Sequence, residues 1–124
     1  MGKFVVKTVK TGFMFNLKAG NGEIIATSEV YTSEAACMSG IESVSKNAPI
    51  ANLEDQTVAE PAAAAKPKFE VYTDKAGEFR FRLKARNGEI IAASEGYTAK
   101  ASCLNGVESV RKNAADAQVE KLDA

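Results

Sequence analysis

The feature that most constrains this chain is that it contains one unit twice. Phe13-Met14-Phe15-Asn16-Leu17-Lys18-Ala19 stands over Phe79-Arg80-Phe81-Arg82-Leu83-Lys84-Ala85, and Asn21-Gly22-Glu23-Ile24-Ile25-Ala26 over Asn87-Gly88-Glu89-Ile90-Ile91-Ala92. Ser28-Glu29, Tyr31-Thr32, Cys37, Glu42-Ser43-Val44 and Lys46-Asn47-Ala48 recur as Ser94-Glu95, Tyr97-Thr98, Cys103, Glu108-Ser109-Val110 and Lys112-Asn113-Ala114. Self-similarity at a regular interval marks a duplicated supersecondary unit. Upstream, Phe4 aligns with Phe69 and Gly12 with Gly77, so the first copy lacks an equivalent of Glu78. A unit of about 45 residues is near the lower limit for burying its own core, so the two copies are expected to share one.

The reading is a single pseudo-symmetric domain over 1–124: repeat 1 at about 3–48, a linker at 49–67, repeat 2 at about 68–114 and a tail at 115–124. Pro61 and Pro67 bracket an alanine run, the composition of a connector.

Within each copy the period of the apolar residues changes from two to helical. Phe13, Phe15, Leu17 and Ala19 alternate with Met14, Asn16, Lys18 and Gly20, which predicts a strand with one apolar face. Asn21-Gly22 and Asn87-Gly88 predict two-residue type I′ hairpin turns. That register sets Gly20 opposite Glu23, Leu17 opposite Ala26, Phe15 opposite Ser28, Leu83 opposite Ala92 and Phe81 opposite Ser94. Ile24 and Ala26 then share the Phe/Leu face, while Ile25, Thr27 and Glu29 look away. An earlier strand, Phe4 to Val9 and Phe69 to Thr73, completes three per copy.

Thr32 and Thr98 read as helix N-caps. Ala36, Cys37, Gly40, Ile41 and Val44 recur at helical spacing, as do Cys103, Gly106, Val107 and Val110. Gly40 and Gly106 stand mid-helix, at a cost of about 1 kcal/mol relative to alanine, which points to a close approach of helix to sheet. Asn47 and Asn113 mark the helix ends. The predicted fold is α+β: a duplicated β-β-β-α repeat forming a six-stranded antiparallel sheet with two helices packed on one face.

Chemistry is sparse. The chain has no histidine, which removes the commonest general base and zinc ligand. Its two cysteines, Cys37 and Cys103, lie on the buried helical stripe, where cysteine acts as a small hydrophobe. Glu42 and Glu108 read as helix-surface charge. No catalytic residue, metal ligand or cofactor is expected, and the protein reads as non-enzymatic. The 16 Lys and Arg equal the 16 Asp and Glu, so nothing drives the whole chain toward nucleic acid or anionic membrane. No apolar run reaches the roughly 18 residues of a membrane span, and the N-terminus does not read as a signal peptide, so a cytoplasmic location is expected.

The surface feature that stands out is Arg80, Arg82 and Lys84, alternating on the face away from the helices, with Arg86 extending the run. With Tyr72 as a stacking platform, such a stripe could bind nucleic acid. Arg80 falls opposite Glu95, an expected cross-strand ion pair that favours a solvated face instead. Repeat 1 carries Met14, Asn16 and Lys18 at the same places. Ile25, Ile91 and Tyr72 on that face suggest a contact surface for another protein or a second copy, and exposed edge strands offer another.

Phe69-Glu70-Val71-Tyr72 with Asp74-Lys75-Ala76-Gly77-Glu78-Phe79-Arg80-Phe81-Arg82-Leu83-Lys84-Ala85 resembles the YegP-like family of bacterial domains of unknown function. So do Asn87-Gly88-Glu89-Ile90-Ile91-Ala92, Ser94-Glu95-Gly96-Tyr97 and Lys112-Asn113-Ala114, and both copies match. Copy one departs at Val30, Met14 and Asn16. The resemblance implies a β-β-β-α repeat, used in tandem or dimerised, and brings no activity or ligand. The expected function is a small binding or protein-interaction module using an open sheet face or edge strand, with weak nucleic-acid binding through Arg80, Arg82, Lys84 and Arg86 as the alternative.

Overall fold

The computed structural model describes residues 2–60 and 63–122. Repeat 1 supplies β1 (Lys3–Val9), β2 (Gly12–Lys18), β3 (Ile24–Thr27) and α1 (Glu34–Asn47), then a single 3-10 turn (Ala48–Ile50) and β4 (Asn52–Asp55). Repeat 2 supplies β5 (Lys68–Thr73), β6 (Phe79–Lys84), β7 (Ile90–Ala93), α2 (Lys100–Ala114) and β8 (Gln118–Leu122).

The α+β class and the two helices agree with the sequence reading, but the sheet does not have six antiparallel strands. Among the described residues it has eight, in the order β4-β5-β6-β7-β3-β2-β1-β8, and it is mixed. The two extra strands come from the segments that read as linker and tail. β4 leaves α1 and pairs in parallel with β5, and β8 leaves α2 and pairs in parallel with β1. Each copy is thus β-β-β-α-β, and its last strand lies against the first strand of the other copy. Asp55 on β4 is tied to Lys100 at the start of α2 at 2.6 Å, and Lys121 on β8 to Glu34 at the start of α1 at 2.6 Å.

Both helices lie on one face, and their buried stripes are those expected: Cys37, Gly40, Ile41 and Val44, and Cys103, Gly106, Val107 and Val110 with Ala114. They close over Phe4, Phe15, Leu17, Phe69, Phe81 and Leu83, all fully buried. Each helix also reaches the opposite repeat, α1 touching β7 and α2 touching β1, β2 and β3. The helices start one residue later than the threonines suggest. Tyr31 and Tyr97 are still bonded to the backbone of Phe13 and Phe79, so the turn into the helix comes after Thr32 and Thr98. Ser33 caps α1, accepting from the Ala36 N–H at 3.1 Å, and Ala99 takes that place at α2 without a side-chain cap.

The mid-helix glycines make room for tyrosine rings. Tyr31 stacks on Phe15 and Tyr97 on Phe81, with centroids 6.3 and 6.4 Å apart. A Cβ at Gly106 would stand 2.7 Å from the Tyr97 hydroxyl and 2.9 Å from the Phe81 ring. Alanine gains about 1 kcal/mol in helix propensity, but forcing an atom against a fully buried ring costs about 1–3 kcal/mol. Gly106→Ala is therefore expected to lower stability by about 1 kcal/mol in chemical denaturation. Adding Tyr97→Phe should recover part of the loss. A stabilised Gly106→Ala protein would show that this contact relaxes freely.

Candidate functional site

The outer face of the sheet, away from the helices, is built from the alternate residues of each strand, but the hairpin loops change which residues those are. Gly22 donates its N–H to the Ala19 carbonyl and Ala19 donates to Glu23, so three residues, Gly20 to Gly22, span the turn. Only Gly22 has positive φ, at 87°, and Gly88 repeats it at 86°. This is the three-residue loop with glycine in the left-handed position, rather than the two-residue type I′ turn. The longer loop shifts the pairing to Lys18 opposite Ile24, and a bulge restores Leu17 opposite Ala26. Repeat 2 does the same, with Lys84 opposite Ile90 and Leu83 opposite Ala92.

Ile25 and Ile91 are the extra bulge residues, and they turn into the core, 7% and 5% exposed. They leave the candidate surface. Ile24 and Ile90, expected inside, occupy the outer face at 46% and 42% exposed. The two repeats meet at the sheet centre through one pair, Thr27 with Ala93, and a cleft of about 340 Å³ opens there beside Ile90 and the carboxylates Glu29 and Glu95.

The basic stripe is present but occupied. Glu70 on β5 lies opposite Arg82 on β6 and is 2% exposed. One of its oxygens takes Arg82 Nε at 2.6 Å, and the other takes Lys84 Nζ and Lys68 Nζ, each at 3.2 Å. Lys68 also reaches Glu54 on β4 at 2.8 Å. Arg80 does not pair with Glu95. Its Nε donates to Asp74 at 2.6 Å, because Asp74 is held at the β5–β6 turn by the N–H groups of Ala76 and Glu78. The Arg82 guanidinium lies over the Tyr72 ring, 4.4 Å from its centroid, and so occupies one face of the expected stacking platform. Arg86 lies outside β6, exposed in the hairpin loop.

Glu54, Glu70, Lys68 and Asp74 were not singled out by the sequence argument. The available signal was that Lys68, Glu70 and Tyr72 share a parity across the turn from Lys84, Arg82 and Arg80, which sets Glu70 opposite Arg82 but matches neither Arg80 to Asp74 nor Lys68 to Glu54.

These contacts set the titration of the site. Hydrogen bonds from Lys68, Gln56 and the Ala64 N–H hold Glu54 down to about 2, from an ordinary 4.5. Burial opposes ionisation of Glu70, but the bonds from Arg82, Lys84 and Lys68 prevail and its carboxyl also lies low. A carboxyl depressed on folding stabilises the native state fully above its unfolded value, and that contribution is lost as pH falls through the folded value. Denaturant midpoints are thus expected to fall with pH from 4.5 toward about 2, and Glu54→Gln should shrink the fall. An unchanged slope in that variant would contradict the assignment.

Among the described residues, no group of three His, Cys, Asp or Glu side chains could hold a metal ion, and no helix is long and apolar enough to cross a membrane. Cys37 and Cys103 are fully buried. Burial pushes both thiols up, Cys103 to about 11, the reverse of what a thiolate nucleophile needs.

Known proteins agree with this architecture. The family model described as a domain of unknown function, DUF1508, matches residues 10–55 and 74–120, each match running into the fourth strand of its repeat. A UPF0339 protein of Mannheimia succiniciproducens is 41% identical over 123 residues, covering 98% of this chain and 96% of the relative. A UPF0339 protein of Treponema denticola is 67% identical over 55 residues, 44% of this chain but 95% of the relative, so it corresponds to a single copy. The UPF0339 protein in the ptx operon 5′ region of Stutzerimonas stutzeri is 75% identical over 48 residues, spanning 39% of this chain and only 43% of that relative. Among solved structures, the UPF0339 protein SO3888 of Shewanella oneidensis superposes with a TM-score of 0.80 at 34% identity, covering 98% of this chain and 91% of the other. The protein of unknown function yegP of E. coli gives a TM-score of 0.79 at 36% identity, covering 97% and 91%. The chain belongs to the DUF1508 family and carries its domain twice in tandem.

Proposed function

We propose that this protein is a small non-enzymatic interaction module that binds a partner protein through the outer face of its sheet and the adjoining edges. One observation carries the reading: the face has no helix over it among the described residues, and Ile24 and Ile90 stand exposed near its centre. On the β5–β6 side of that face Arg80, Arg82 and Lys84 are already tied by ion pairs, so this part of the surface is presented in a set geometry that costs little ordering on binding. The same pairs weigh against nucleic acid. Arg80, Arg82 and Lys84 each have a carboxylate partner, which a phosphate would have to displace.

A photo-crosslinking residue placed at Ile90 of the full chain, in cells expressing it, tests the reading, with Glu42 on α1 as the control position. The expected result is a discrete protein adduct from Ile90, none from Glu42, and loss of the adduct when Ile24→Lys is added. An adduct to nucleic acid would replace this reading with the alternative. Equal adducts from both positions, or none, would refute it.

A further inference from the structure

The same place at the two ends of the sheet is filled in repeat 2 and open in repeat 1. In repeat 2 the chain turns back after β4, and residues 63–66 run across the sheet edge. Ala64 donates its N–H to Glu54 Oε1 at 2.8 Å, and Asn52 Nδ2 donates to the Ala65 carbonyl at 2.8 Å. Lys66 then passes the β6–β7 hairpin, where a Cβ at Gly88 would stand 3.3 Å from its Nζ. The edge strand thus reads a peptide backbone with one acceptor and one donor, spaced two residues apart on β4.

β8 carries the same pair. Gln118 and Glu120 occupy the positions of Asn52 and Glu54, each strand pairing in parallel with the first strand of the other repeat. Lys3 steadies Glu120 at 3.1 Å as Lys68 steadies Glu54 at 2.8 Å. Among the described residues, Gln118 makes no side-chain hydrogen bond and Glu120 has only that from Lys3. A Cβ at Gly22, the counterpart of Gly88, would meet nothing within 4 Å. The result is a concavity of about 630 Å³ between β8, the start of β1 and the β2–β3 hairpin.

We propose that this groove binds an extended peptide of small residues from a partner protein, one backbone N–H donating to Glu120 and the next carbonyl accepting from Gln118. The occupant's chemistry is taken from the chain's own segment at the equivalent place, alanines followed by lysine. The lysine of the ligand would pass the hairpin at Gly22 as Lys66 passes Gly88. Edge-strand side chains that bond a ligand's main chain hold it in an extended form, as Glu54 and Asn52 hold residues 64 and 65. This site deepens the interaction-module reading by naming a ligand class at one edge of the same face.

The test is an NMR titration of labelled full-length protein with the capped hexapeptide Pro-Ala-Ala-Ala-Ala-Lys, the sequence of residues 61–66. Two controls accompany it: the same peptide N-methylated at the alanine matching Ala64, and the Gln118→Leu protein, whose substitution lies at an exposed side chain. Saturable shifts at Gly2, Lys3, the 20–22 hairpin and Gln118 to Glu120, lost with either control, are the expected result. No shifts there, shifts confined to β4 and residues 63–66, or equal shifts from the methylated peptide would each overturn the proposal. Crosslinking from Ile90 reads the centre of the face, so its success beside a failed titration would remove the groove and leave the module.

Discussion

Replacing Glu70 with alanine is expected to destabilise the protein by about 2–3 kcal/mol, a large effect for a residue on the sheet face opposite the two helices. The carboxylate is 2% exposed and accepts from Arg82, Lys84 and Lys68. Without it Lys68 keeps Glu54, while Arg82 and Lys84 are left with no carboxylate partner among the described residues. Removing one partner of a buried ion pair costs about 3–5 kcal/mol, because the charge left behind has lost both solvent and counter-charge. The effect here should fall below that range, since the Arg82 and Lys84 side chains keep 28% and 24% exposure and can swing toward water.

Two further measurements separate charge from shape. Glu70→Gln keeps an acceptor for Arg82 and should lose less than the alanine variant. Added salt should narrow the gap between Glu70→Ala and the parent, because crowded like charges are screened. Urea denaturation midpoints read both. A loss below about 0.5 kcal/mol would mean the cluster behaves as an ordinary solvated set of ion pairs.

Loop length accounts for most of the difference between the face read from the sequence and the face observed. Asn21-Gly22 correctly marked the hairpin, and Leu17 does lie opposite Ala26. A three-residue loop followed by one bulge gives the same pairing there as a two-residue loop without a bulge, so the two are indistinguishable at Leu17 and differ only for the residues between. Those residues are Ile24 and Ile25, which exchange faces, and with them Ile90 and Ile91.

The fourth strand was hidden for a different reason. Ala51-Asn52-Leu53-Glu54 does stand over Ala117-Gln118-Val119-Glu120. Only alanine and glutamate are shared by identity, however, and both strands are short edge strands with Leu53 and Val119 over 40% exposed, so no apolar alternation announces them. The core stripes of the helices were legible because burial forces their composition. The counter-charges Glu70 and Asp74 follow only once β5 and β6 are paired as a hairpin, and Glu54 depends on β4 becoming a neighbour of β5, on which composition is silent.

The interleaving of the copies leads to the largest expected effect. Phe81→Ala should cost about 3–5 kcal/mol, the loss for truncating a fully buried phenylalanine. The ring packs edge-on to Phe69 at 5.9 Å and stacks on Tyr97 at 6.4 Å, with Gly106 of α2 closing over it, so the surroundings have little freedom to collapse into the cavity. The informative quantity is where that loss is felt. β1 of repeat 1 is flanked by β8 from repeat 2, and β5 of repeat 2 by β4 from repeat 1. α2 lies on β1, β2 and β3 as well as on β5 and β6. Opening repeat 2 alone would therefore strip repeat 1 of an edge strand and part of its helical cover.

If the two repeats form one cooperative unit, amide exchange in β1 and β2 should accelerate in Phe81→Ala by the same factor as exchange in β6, and thermal unfolding should remain a single transition. Faster exchange in repeat 2 with β2 unchanged would establish two separately stable halves. The crossed strands would then be an attachment between domains rather than the means by which each copy completes its core.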